Sequence, residues 1–392
     1  MTHSLGTRAS PARLAQLNRS PLRSRLILVG LVWLATALPN TWAVAAQGSA
    51  SVAAQDDLLF TSNRNASVFE LWRMSAEGAQ PHRVLAEQGE AGEMSWSPDG
   101  HQVLYTASRS GGLLNIYVAA LGADKGRQLT HDSLPSTQPV WSPDGQTIAF
   151  VSMRDGSRRI HLMDADGSRQ RRLTAAAQDD EYGPRFSPDG RLLAYVASNL
   201  KTRSPRVAMA DLRTGQSRIV SAAEDGPLEA APDWAPDSRQ LLFTVVRGQS
   251  SHVFAMAADG AGRRQLTAQN QPRNGQPQWS PDGRRILYLS VVDDSGRQGL
   301  FLMNTDGSQP VKLHATANDV MDARWASDGQ RIFFTEQLPS GGKLFSIDAG
   351  GGEVRRLSGN EGFDLNVQVC CGRPASDTRN AVPVAGTVGA LH

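Results

Sequence analysis

The chain has 392 residues, a formal net charge of +2 and two cysteines. No dense Lys/Arg patch with interleaved aromatics occurs in it, which excludes a nucleic-acid-binding surface. Only one hydrophobic stretch stands out, near the N-terminus, and it is short for a membrane span of roughly 20 residues.

Residues 1–25 carry Arg8, Arg13, Arg19, Arg23 and Arg25 and no acid. The apolar run from Leu26 to Leu38 follows, then Pro39 and small residues that offer cleavage after Ala45 or Ala46. This three-part layout predicts a signal peptide over 1–46, hence a periplasmic or secreted protein with no stable membrane span after cleavage. Without the five arginines the remainder carries −3. A linker over 47–57 leads to the repetitive region, 58–369, and a flexible C-terminal tail over 370–392 ends the chain.

The repeat is a tryptophan followed by a tight turn: Trp96, Trp141, Phe186, Trp234, Trp279 and Trp325, spaced by 45, 45, 48, 45 and 46 residues. A fixed period of this size marks a repeat architecture. Within a unit, short alternating runs such as `QTIAFVS` and `RIHLMD` are separated by Asp-Gly and Ser-Gly turns, which predicts antiparallel hairpins. Four strands per unit predict an all-β β-propeller. An extra set of strands, from `DLLFTSNRN`, precedes the first motif. Its missing inner strand is matched at the other end by `EGFDLNVQV`, where Glu361 and Asp364 stand six and three residues before Val367, as Glu90 and Glu93 stand before Trp96. The expectation is therefore seven blades, closed by the C-terminal strand in the N-terminal blade, with six blades as the alternative. The aromatic residue is expected to fill the gap between blades. The motif aspartate is expected to be a turn residue.

At these residues, `PVWSPDGQTIAFVSMRDG` and `PQWSPDGRRILYLS` with Leu-Thr endings, the chain resembles the TolB-type β-propeller repeats over about 58–369. The resemblance implies a propeller with a binding role in the cell envelope. The cell-envelope TolB proteins also carry a folded N-terminal domain. Here about a dozen residues separate the cleavage site from Leu58, so that domain is not expected.

For chemistry, the chain has no Gly-x-Ser-x-Gly elbow. His131 and His314 lie in separate connections without metal-ligand spacing, so no catalytic residue is assigned. The connections from an outer strand to the next inner strand are acidic: Glu90, Glu93, Asp132, Asp179, Asp180, Glu181, Glu224, Asp225, Glu229, Asp319, Asp322, Glu361 and Asp364. The turns between second and third strands, on the same face, carry Arg64, Arg109, Arg154, Arg158, Arg159, Lys201, Arg203, Arg206, Arg247, Arg297 and Lys343. The segregation predicts an acidic channel mouth inside a basic rim, able to hold a cation such as calcium (Ca2+), a basic peptide, or both. The adjacent Cys370 and Cys371 suggest a vicinal or intermolecular disulfide in an oxidising compartment. The functional expectation is an exported, non-enzymatic module that binds an envelope protein or peptide. The alternative is a metal-assisted carbohydrate lyase or hydrolase with its site in the channel.

Overall fold

The computed structural model describes residues 56–65, 67–78, 81–85, 90–109, 112–175, 179–221, 228–270 and 273–370. The predicted signal peptide, Cys371 and the tail lie outside them. Among the described residues no helix is long and apolar enough to cross a membrane.

Seven four-stranded antiparallel sheets follow one another, each with its inner strand on the axis and a two- to four-residue outer strand at the rim. Blade 1 takes its inner strand, Asp364–Val369, from the C-terminal end and its other three, beginning with Asp57–Ser62, from the N-terminal end. Blades 2 to 7 begin with inner strands at Glu90–Trp96, Ser136–Trp141, Asp179–Phe186, Leu228–Trp234, Asn274–Trp279 and Asp319–Trp325. The ring is thus closed by hydrogen bonds between the two ends of the domain.

The alternation read in `QTIAFVS` does not separate a wet face from a dry one. Thr147–Ser152 is buried at every position after the first. Ile148 and Phe150 pack with Leu104, Ile116 and Trp141 at the boundary with blade 2. Ala149 and Val151 pack with Tyr182 and Phe186 of blade 4. A blade is a sheet covered on both faces, so both sets are apolar. Seven such clusters mark the seven blade boundaries, and the motif aromatics sit in them with exposures from 1% to 7%. Only the outer strands meet water along an edge, and they are short and charged, as in Arg171–Arg172, which blunts edge-to-edge pairing.

The motif turn works as a small hydrogen-bonded unit. The Ser142 hydroxyl donates to Asp144 Oδ1 (2.5 Å) and accepts from the Thr147 amide (2.9 Å), while Asp144 Oδ1 accepts from the Gln146 amide (3.0 Å). Gly145 holds a left-handed φ of 70° and faces Pro98, the proline of the preceding blade's turn. The motif aspartate is therefore a bend residue. Ser142→Ala is expected to lower stability by about 1 kcal/mol, read as a shift in urea midpoint. Blades 5 and 7 already carry Ala235 and Ala326 at that place, so a loss of the fold would contradict the account.

The closing strand departs from the expected register. Trp96 pairs with Val103 and Trp141 with Ile148, the second residue of the neighbouring strand in each case. In blade 1 the residue opposite Leu58 is Val369, not Val367. Val369 thus takes the tryptophan position. Glu361 and Asp364 then stand eight and five residues before it, rather than six and three.

Candidate functional site

Every inner strand carries a bulge, because two residues on it oppose one on the next strand. In five blades the residue three before the aromatic position has a left-handed backbone: Gln138 (54°), Gly183 (65°), Ala231 (53°), Gln276 (51°) and, on the corrected register, Asn366 (59°). In several blades the side chains at this position, or at the one before the aromatic, reach the next inner strand. Glu93 accepts from the Gln138 amide (2.6 Å), Gln138 Oε1 accepts from the Gly183 amide (2.7 Å), and Gln276 Nε2 donates to the Met321 carbonyl (3.2 Å). One residue before the aromatic, Asp233 accepts from the Trp279 amide (3.0 Å) and Gln278 donates to the Ala323 carbonyl (2.7 Å). The channel wall is stitched sideways by its own side chains.

Five ionisable groups converge in this channel: Glu93, Arg185, Asp233, Asp322 and Arg324. Burial is the leading influence on all of them. It pushes Glu93 up to about 7 and Asp233 up to about 6, holds Arg185 down to about 10, raises Asp322 and lowers Arg324. Arg185 feels Asp233, Arg324 and Glu93, which come from blades 5, 7 and 2, so its guanidinium lies where opposite walls meet. Counting back three and six residues from the motif finds Glu93 and Asp322 but passes over Arg185, Asp233 and Arg324. The available signal was charge at a position that other blades fill with Ser95, Val140 or Gln278.

The remaining predicted mouth residues divide into separate roles. Asp132 pairs with Arg154, and Asp180 with Arg158 (3.0 Å), joining the acidic connections to the basic rim. Asp319 accepts from the Gln298 amide (2.7 Å). Glu181, Glu229 and Asp364, five residues before the aromatic position, are buried between blades. Glu181 accepts from the Ile160 amide (3.0 Å) and the Thr174 hydroxyl. Glu229 accepts from the Val207 amide (3.0 Å) and Arg263 (3.1 Å), and Asp364 pairs with Arg64 (2.6 Å). In blades 2 and 5, Thr130 and Thr267 accept the corresponding amide instead, from Ile116 (3.0 Å) and Val253 (3.1 Å). Glu361 is exposed, and its carbonyl accepts from the buried Lys343 (2.9 Å). Asp225 and the side chains of Glu90 and Asp179 lie outside the described residues. Asp132, Asp180, Glu229 and Asp364 are thus paired with arginines, while Glu93, Glu181 and Asp319 are held by backbone amides.

Among the described residues no group of three or more His, Cys, Asp or Glu stands close enough together to hold a metal ion. His131 is exposed, while His314, the last residue of the outer strand of blade 6, has its Nε2 2.9 Å from Glu336 on the second strand of blade 7. The two do not meet. Cys370 is buried at the end of the closing strand, its amide bonded to the Asp57 carbonyl (2.9 Å).

A feature the sequence reading did not isolate is apolar. Of the eight large hydrophobic residues exposed among the described residues, Leu113, Leu114, Leu134, Met153, Leu200 and Leu228 lie on the face of the acidic connections. The other two, Ile219 and Val311, are on outer strands. Four of the six adjoin across blades 2 and 3, where the Ser136 amide bonds the Leu114 carbonyl (2.9 Å) and the Met153 amide bonds the Pro135 carbonyl (3.1 Å).

Comparison with known proteins agrees with this architecture. The family model described as the TolB beta propeller domain matches residues 80–270 and 162–363. The Tol-Pal system protein TolB of Methylobacillus flagellatus is 39% identical over 62 residues, which is 16% of this chain and 14% of that relative's length. Among solved structures, a puromycin-hydrolyzing peptidase of Mycobacterium tuberculosis aligns with a TM-score of 0.61 at 17% identity, covering 83% of this chain and 57% of the other. The oligogalacturonate lyase of Vibrio parahaemolyticus aligns with a TM-score of 0.57 at 13% identity, covering 76% and 84%. At such identities the structural likenesses show the fold alone.

Proposed function

The chain belongs to the TolB beta propeller domain family, and on that premise we propose that it is an exported, non-enzymatic module that binds a protein or peptide of the cell envelope. The face carrying the connections between blades is the docking surface. The observation that carries this reading is the one-sided placing of exposed apolar side chains, above all Leu113, Leu114, Leu134 and Met153. Adjoining apolar side chains rimmed by paired charges are what a protein interface offers before its partner arrives. A rigid ring of interlocked blades suits such a role, because it can hold loops from several blades in fixed relation.

The test is a cross-linking capture from an envelope extract with three forms of the protein. Leu114→Asp/Leu134→Asp is expected to lose the species that the natural sequence captures. Asp166→Lys, in an exposed turn between third and fourth strands, is expected to keep it. Equal capture by all three forms would remove this face from consideration.

A further inference from the structure

We infer that the channel is a carboxylate-binding site and that the Arg185 guanidinium is the group that receives the ligand. Arg185 stands one residue before Phe186 on the inner strand of blade 4 and is 6% exposed. Its side chain makes one hydrogen bond, from Nη1 to the carbonyl of its neighbour Pro184 (2.8 Å). Nε finds no acceptor among the described residues. A guanidinium has five N–H donors in a planar fork, and burying it with a single carbonyl bonded leaves most of that capacity unused.

No hydrogen bond or ion pair joins Arg185 to the carboxylates nearest it in charge, among the described residues. Asp233 is held by the Trp279 amide and Glu93 by the Gln138 amide, each a bond to the following blade's backbone. Both act on Arg185 electrostatically, while Arg324, from the opposite wall, adds a second positive charge. Burial that keeps Glu93 near 7 further reduces the negative charge facing Arg185 at neutral pH. The approach is also shaped. Three residues before the aromatic position, where other blades place Glu93, Gln138, Gln276 and Asp322, blades 4 and 5 place Gly183 and Ala231. The wall between Arg185 and the face of the connections is therefore lined by the two smallest side chains of that tier.

A planar carboxylate matches the fork of a guanidinium through two parallel bonds. It could come from a free small acid or from the C-terminus of a peptide entering along the axis. The site goes beyond the apolar docking surface, since a small acid needs none of the rim to reach it.

The experiment is calorimetric titration of the full chain at pH 6.5 with acetate, with trialanine and with trialanine amide. Saturable binding of trialanine is expected, with at least a tenfold loss on amidation. Acetate binding as well as trialanine identifies a general carboxylate site, and trialanine alone identifies a chain terminus; both support the proposal. Arg185→Gln is expected to abolish the heat, and Arg185→Lys, which keeps the charge without the fork, to weaken binding about tenfold. In the natural chain the Arg185 Nε–H resonance should shift on saturation, which decides the matter even if the variants fold poorly. Binding that survives Arg185→Gln unchanged, an amide that binds as well as the acid, or an unmoved Nε–H resonance would each overturn the inference.

Discussion

Asp364→Ala is expected to be among the most destabilising single substitutions in this chain, costing about 3–5 kcal/mol. Asp364 is fully buried on the closing strand, and its Oδ1 lies 2.6 Å from Arg64 Nη2. Arg64 is fixed by the Ser62 hydroxyl (Nε, 3.1 Å) and lies against the rings of Phe60 and Trp72, 5.2 and 4.8 Å from their centroids. The buried Lys343 also feels this carboxylate and donates to the Glu361 carbonyl two residues before Phe363. Removing the carboxylate strands the Arg64 guanidinium in a dry place, while Lys343 keeps the Glu361 and Gly362 carbonyls, at the one junction that joins the ends of the domain. Because the ring closes through this strand, the loss should appear as a lower urea midpoint and faster unfolding. The pair itself is replaceable. Asp364→Leu with Arg64→Met is expected to recover most of the loss, since the cost comes from the stranded charge rather than from the missing attraction. Equal instability of the single and double variants would contradict that explanation.

That same junction shows where sequence reading succeeds and where it stops. The period of the aromatic motif, the turn chemistry and the copy of the strand set at Asp57–Ser62 were enough for seven blades, because each is local and repeated. The identity of the closing strand was also legible. Its register was not, because the bulge makes acids at two different depths share one spacing in sequence. Asp322 lies three residues before Trp325 and is in the channel; Asp364 lies three before Val367 but five before Val369, and is buried between blades. The charged rim shows a related limit. Acidic connections and basic turns do segregate by loop class, yet they adjoin in space, so Asp132 meets Arg154 and Asp180 meets Arg158. A one-dimensional count cannot distinguish two opposed fields from a row of ion pairs. The channel arginines, Arg185 and Arg324, stand one residue before the aromatic, outside the three-residue spacing that the acids share.

Glu93→Gln is expected to stabilise the protein above neutral pH and to flatten its pH dependence. Burial raises the Glu93 carboxyl from an ordinary value of 4.5 to about 7 in the folded chain. The folded state therefore keeps a proton that the unfolded chain has released between those two values. A raised carboxyl contributes stability that is fully present below pH 4.5 and is lost as pH rises through 7. A difference of this size corresponds to at most about 3 kcal/mol. Asp233, raised from 3.8 to about 6, acts with the same sign over a lower window. Glutamine keeps an oxygen for the Gln138 amide, the bond that joins blades 2 and 3, and removes only the titration. Melting temperatures of the two proteins should thus converge near pH 4.5, with the variant the more stable at pH 8. The sign is informative because most carboxylates that hold a fold together act oppositely, losing their contribution as pH falls. A difference curve that is flat from pH 4.5 to 8 would mean that water or a neighbouring charge compensates Glu93 in the channel. A variant less stable at pH 8 would mean that the ionised carboxylate, and not the neutral acid, is the form the channel is built around.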